Sequence, residues 1–194
     1  ELNVPIKCAI VAEKAAWTEG MIKAAQATIP KLGMELVGTW QPSDKATDVT
    51  AELSAIQKSG ANIVFTIFSA SVGITFARQA GELKIPAAQV GINVEAQKDG
   101  FWEATKGMGN YVFTTNTYCR GVEYNELTTP FMDKFIKRFN ETPTYTAGGT
   151  HDAIMYALVP SIEAVGSLDA DKIVAHLENR EYKVPSGIVK YEKT

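Results

Sequence analysis

The run Lys7-Cys8-Ala9-Ile10-Val11-Ala12 is short and β-rich, and it gives way at once to the polar pair Glu13-Lys14. Runs of the same kind recur at 34–40, 62–68, 87–91 and 111–115, with starts 27, 28, 25 and 24 residues apart. Amphipathic helical patterns fill the first three gaps, and this is the spacing of βα units that build one parallel sheet. The chain is therefore expected to open as an α/β layer structure.

The helical stripes are specific. Ile22, Ala25, Ile29 and Leu32 step by three, four and three, which lines one helix face, and Gly33 is placed to end that helix in the left-handed region. Asp48 stands as the N-cap of a second helix burying Leu53 and Ile56, with Glu52 in the first turn, where the helix dipole favours an anion. Gly60 marks its exit. Ser71 is expected to cap a third helix, whose buried stripe is Val72, Phe76, Ala80 and Leu83.

After Tyr118 the pattern changes to helices without strands between them. Thr129-Pro130 reads as an N-cap followed by proline at the first helical position, ahead of Phe131, Phe135 and Phe139. A second helix is expected at 149–165, burying Ile154, Leu158, Ile162 and Val165 and kinked by Pro160. Asp169 opens a third with Ile173, Val174 and Leu177, and only 187–191 reads as a strand afterwards. Helices with so little sheet of their own must cover a sheet from elsewhere. Their stripes are expected to pack on strands supplied by polypeptide outside the 194 residues.

Composition excludes several classes. Hydrophobic residues at 45% and charged residues at 21% belong to a packed globule of one to two domains. A net charge of −3 gives no basic excess to neutralise phosphates, so no nucleic-acid partner is expected. The uncharged segment 60–77 contains Asn62, Thr66, Ser69, Ser71 and Thr75, which a membrane span would have to bury in lipid. Strand, turn and helix are expected there, with no direct membrane insertion. Glu1 is not followed by a basic and then apolar leader, so any signal peptide is expected to have been removed or never to have existed.

The common catalytic signatures are missing. The loop after the first run, Ala12-Glu13-Lys14-Ala15-Ala16-Trp17-Thr18, holds no GxGxxG and no GxxxxGK[ST]. Gly107-Met108-Gly109 precedes a strand rather than following one and reads as a turn. Phe65-Thr66-Ile67-Phe68 lacks the aspartate of a phosphoacceptor domain. His151 and His176 have no metal-binding neighbourhood, and Cys8 and Cys119 form no CxxC pair, so no cofactor is expected. The cysteines are expected as free thiols near opposite edges of the sheet. A nucleophilic set can be written as Cys119, His151 and Asp152, and a carboxylate cluster as Glu95, Asp99 and Glu103, but no acid/base pair is singled out.

The loops themselves carry a resemblance. Cys8-Ala9-Ile10-Val11-Ala12-Glu13 with Trp17, then 31–37, Asp48 through Ile56, Gly60-Ala61-Asn62-Ile63-Val64-Phe65, Phe76-Ala77-Arg78-Gln79-Ala80, Thr142-Pro143-Thr144-Tyr145 and Asp152-Ala153-Ile154 together resemble the second lobe of type I periplasmic binding proteins. The likeness is greatest to the branched-chain amino acid (Leu/Ile/Val) binding family, and it covers nearly the whole chain. It implies a Rossmann-like α/β/α lobe with a parallel sheet over residues 1–118. Residues 119–194 would then be helices and one strand of a second, incomplete lobe.

The resemblance implies a non-enzymatic, periplasmic or extracytoplasmic solute-binding protein that delivers a small molecule to the permease of an ABC transporter. The partner polypeptide carrying the rest of lobe one would be missing, along with a first helix of lobe two and the closing crossover. An effector-binding core of a LacI-type regulator or a receptor ectodomain would share this fold. Ligand loops at the carboxyl ends of strands single out Trp17 as an aromatic platform and Ser69 as a hydroxyl partner. Asn93 stands where amino-acid binders of the family place a carboxylate for the ammonium, with Glu95 as the nearest anion. An amide cannot match that charge, so the expected solute is a neutral molecule, an amide or an aromatic acid, with an amino acid-like small molecule also kept open. Trp17, Ser69 and Asn93 are expected to converge on one cleft.

Overall fold

A computed structural model describes residues 5–178 and 180–193. The chain divides into two units, the first running to Thr115 and the second beginning at Asn116. The division falls three residues before the expected boundary at Tyr118, because Tyr118 packs with Phe131 and Met132 of the second unit.

The first unit is a five-stranded sheet, β1 (Lys7–Ala12), β2 (Glu35–Trp40), β3 (Ile63–Phe68), β4 (Ala88–Asn93) and β5 (Val112–Thr114). Its order is β2-β1-β3-β4-β5 and every pairing is parallel. Helices α1 (Ala16–Thr28), α2 (Thr50–Ser59), α3 (Val72–Glu82) and the short α4 (Phe101–Ala104) connect them. Because alternate residues of a strand face opposite ways, β1 serves two cores. Ala9 and Val11 join Val64 and Phe68 under Leu53, Ile56, Val72 and Phe76. Cys8, Ile10 and Ala12 join Ile67 under Ile22, Ala25 and Ile29 of the α1 side. A parallel sheet covered on both faces needs this near-continuous apolar strand.

Several expectations shift by a residue or a turn. The α1 helix stops at Thr28, ahead of Pro30, and a 3-10 turn (Pro30–Leu32) follows, so Leu32 is 66% exposed rather than buried. Gly33 does end the segment, at φ 78°. Asp48 accepts from Thr50 N–H at 2.9 Å and Thr50 Oγ1 at 2.6 Å, while Val49 holds the cap position and its N–H donates to Gln79 Oε1 at 2.7 Å. Ser71 makes no side-chain cap bond, and Leu83 is exposed beyond the end of α3. The fourth strand runs on to Asn93. Gly91, at φ 145°, lies where a Cβ would meet the Thr66 carbonyl oxygen at 2.3 Å, so only glycine fits between β3 and β4 there.

The second unit contains α5 (Thr128–Phe139), α6 (Tyr145–Asp152), a π-helical segment (Ala153–Leu158), α7 (Val159–Val165), α8 (Ala170–Leu177) and an antiparallel hairpin of β6 (Glu181–Val184) and β7 (Gly187–Lys190). Sequence periodicity missed β6. Thr129 is not the N-cap of α5, which already begins at Thr128. The Thr128 hydroxyl accepts from Tyr124 N–H at 3.1 Å and Asn125 N–H at 3.2 Å, and donates to the Pro185 carbonyl at 2.7 Å. Asp169 caps α8 as expected, accepting from Lys172 N–H at 3.1 Å.

The expected kink at Pro160 takes the form of the π segment. Proline has no N–H to donate and its ring crowds the carbonyl four residues back, and the turn before it widens. The buried positions are Gly148, Asp152, Ala157 and Ser161, with a five-residue step across the π turn. That step rotates the buried face away from the expected stripe. Ile154 and Leu158 are exposed at 42% and 37%.

Cys8 is buried on β1, one strand in from the edge, and burial pushes its thiol up. Cys119 is exposed in the second unit, so the expected placement of both cysteines at opposite edges of one sheet does not hold; both are free.

Candidate functional site

At the carboxyl ends of β1 and β3 the polypeptide closes around one buried carboxylate, Glu13, which is 2% exposed. Its N–H donates to the Ile67 carbonyl at 3.0 Å, which extends the β1–β3 ladder by one residue and fixes the side chain beneath the loop after β3. Oε2 accepts from the N–H groups of Ser69 (2.8 Å) and Ala70 (2.9 Å). Oε1 accepts from the Ser69 hydroxyl (2.5 Å) and from the indole Nε1–H of Trp17 (2.9 Å). Four donors converge on the two oxygens of one carboxyl group. The Thr18 hydroxyl donates to the carbonyls of Glu13 (3.0 Å) and Ala15 (2.8 Å), locking the start of α1 against the same turn.

Trp17 and Ser69 are thus brought together, with Glu13 as the shared partner. Trp17 stays 42% exposed and Ser69 is exposed, so both residues border solvent. Asn93 lies on the same sheet edge, opposite Phe68 in the β3–β4 register. Its side chain is fully buried, however, with Nδ2 donating to the Gly73 carbonyl at 3.1 Å and Oδ1 left without a partner. A Cβ on Gly73 would stand 2.4 Å from that oxygen, so Asn93 packs beneath α3. Glu95, in the 3-10 turn after β4, is paired with Lys98 Nζ at 2.8 Å.

Sequence reasoning passed over Glu13. The available signal was a lone carboxylate directly after an apolar strand, at the end of the sheet where doubly wound folds bind ligands.

The second unit has its own buried carboxylate. Asp152 Oδ2 accepts from the Tyr118 hydroxyl (2.5 Å), the Ser186 hydroxyl (2.5 Å) and the Ser186 N–H (3.2 Å). Burial and the neighbouring carboxylate push the Tyr118 phenol far above its ordinary range, so it remains a donor. His151 stacks on Phe131 at 4.4 Å between ring centroids. Asp152 Oδ2 thus joins Tyr118 to the hairpin turn, while Oδ1 lies 3.4 Å from His151 Nδ1. Among the described residues no cluster of three or more His, Cys, Asp or Glu could hold a metal, and no helix is long and apolar enough to cross a membrane.

An open parallel sheet covered on both faces, with its polar loops gathered at the carboxyl edge, is the architecture of a small-molecule-binding lobe. The chain belongs to the periplasmic binding protein family, whose model matches residues 6–194. No curated protein sequence matches it. Among solved structures it is similar to the solute-binding protein of an ABC transporter from R. palustris in complex with benzoate, at 19% identity and a TM-score of 0.81, over 97% of this chain and 52% of that one. It is also similar to a leucine-binding protein from Thermotoga maritima, at 20% identity and a TM-score of 0.78, over 96% and 53%. A third is the leucine-, isoleucine-, valine-, threonine- and alanine-binding protein from Brucella ovis in a closed conformation, at 14% and 0.82, over 96% and 48%. These likenesses carry the fold, which is that of type I periplasmic binding proteins. The chain spans about half the length of these structures.

Proposed function

We propose that the protein is an extracytoplasmic solute-binding protein, not an enzyme, which closes on a small molecule and delivers it to an ABC importer permease. Residues 1–118 serve as lobe two and 119–194 as part of lobe one, completed by polypeptide beyond this chain. The meeting of Trp17 and Ser69 on Glu13, at the carboxyl edge of a parallel sheet in this family, is the observation that carries the reading.

The solute is an aromatic acid or an amide. A desolvated ammonium needs an unengaged anion. Here Glu13 already receives four donors, Glu95 pairs with Lys98, and Asn93 is a buried amide. Two similar structures, one with benzoate and one with 3,4-dihydroxy benzoic acid, give that solute class a precedent.

Titrating the purified full-length protein with benzoate, benzamide and leucine, and following tryptophan emission, tests it. The aromatic solutes should shift or quench the emission, Trp17→Phe should remove most of the change, and the solute should be recovered unaltered. Tight leucine binding with no response to either aromatic compound would overturn the solute class. Product formed in excess of protein would overturn the non-enzymatic reading.

A further inference from the structure

The hydrogen positions around Glu13 set the polarity of the site, given the reading of this edge as a solute site. Three N–H groups donate to the Glu13 oxygens, and Ser69 Oγ, 2.5 Å from Oε1, is the fourth donor. A hydroxyl has one proton and two lone pairs. With the proton directed inward, the exposed Ser69 oxygen offers only lone pairs to a solute. The other nearby donors point the same way: Trp17 Nε1–H and the N–H groups of Ser69 and Ala70 all end on Glu13. The indole therefore presents its ring, 42% exposed, rather than its N–H.

We infer that Ser69 is an acceptor in this site, and that the solute carries an N–H or O–H donor at the end that meets it. The negative charge of Glu13, held one bond behind Ser69, also disfavours a carboxylate at that position. An aromatic acid is bound with its carboxylate directed away from Ser69 and a phenolic hydroxyl or amide N–H directed toward it. An acceptor covered by the solute and left without a donor loses the bond it made to water, so a donor-bearing solute is selected over its methylated analogue.

The test compares 3- and 4-hydroxybenzoate with their methyl ethers and with benzoate, by calorimetric titration of the full-length protein. At least one hydroxybenzoate should bind about tenfold more tightly than its ether, the ratio expected from about 1.4 kcal/mol. Ser69→Ala should bring that ratio close to one. Equal affinities in the native protein, or a ratio that survives Ser69→Ala, would overturn the acceptor assignment while leaving the aromatic-acid reading intact. If no benzoate binds at all, the aromatic-acid reading falls, and the assignment is judged without solute by hydrogen exchange of the Trp17 indole. Slow exchange that becomes fast in Glu13→Gln supports the inward-pointing donors. Exchange as fast as in a free indole, in the native protein, overturns them.

Discussion

The unit ending at Thr115 gathers its buried apolar residues into clusters of eleven and seven, whereas the unit beginning at Asn116 has two clusters of three, and both leave large apolar side chains in water, Tyr111 and Phe113 in the first and Leu168 and Ile188 in the second. Both have amphipathic helices, and α5 and α8 are as clearly striped as α3. The difference lies in the sheet available to them. Five parallel strands give the first unit two covered faces, while the helices of the second share one two-stranded hairpin. Its buried clusters are correspondingly small, Tyr118 with Phe131 and Met132 in one and Ala157 with Tyr182 and Val184 in the other. A large apolar side chain kept in water forgoes about 1.5–3 kcal/mol. Amphipathic helices alone therefore do not make a stable unit.

The largest effect expected from this contrast is on folding itself. Residues 5–115 made alone should melt cooperatively, and residues 116–194 alone should bind an apolar dye and show no sharp transition by circular dichroism. A cooperative melt of the second piece would break the comparison. Next is a matched pair of truncations. Phe76, fully buried and packed on Phe68, should lose about 3–5 kcal/mol on change to alanine. Phe139, 53% exposed and resting on Phe135, should lose no more than about 1.5 kcal/mol. Denaturant titration of the two variants decides it, and equal losses would mean the second unit is packed as firmly as the first.

A smaller effect sharpens the comparison from the other side. An added Cβ at Gly73 would stand 2.4 Å from Asn93 Oδ1, and one at Gly148 would stand 2.0 Å from the Tyr118 ring. Each alanine variant should cost about 1–3 kcal/mol by overpacking. A tolerated Gly148→Ala beside a costly Gly73→Ala would show that even the tight centre of the second unit can yield. The smallest effect is at Asp48 in the first unit. The Thr50 hydroxyl and N–H donate to its ionised form and hold its carboxyl below the usual range. A pKa depressed by folding contributes stability above the ordinary carboxylate value and loses it as pH falls through the folded value. Thermal melts between about pH 5 and pH 3 should decline less steeply in Asp48→Asn than in the native protein, and identical slopes would remove the assigned role.

Strand count, strand order along the chain and the three helical stripes of the first unit could be read from residues 7–115, because periodicity is a local record of which side chains avoid water. The same local signal placed Ser69 in the loop after β3 and Asp169 as a cap, whereas Trp17, expected in the loop after β1, is the second residue of α1. It misplaced the α6–α7 stripe, since one π turn shifts every later residue by a fraction of a turn and leaves no mark in composition. It also missed β6, whose pairing with β7 is settled across a short turn at Pro185 and Ser186.

Other features needed the assembled fold. The sheet order β2-β1-β3-β4-β5 depends on pairings between distant segments. Asn93 is turned under α3 by the space that Gly73 leaves. The direction of the Ser69 proton is set by a carboxylate 56 residues earlier in the chain. Spacing along the chain records burial, but a hydrogen bond has a donor and an acceptor only once both partners have been brought together.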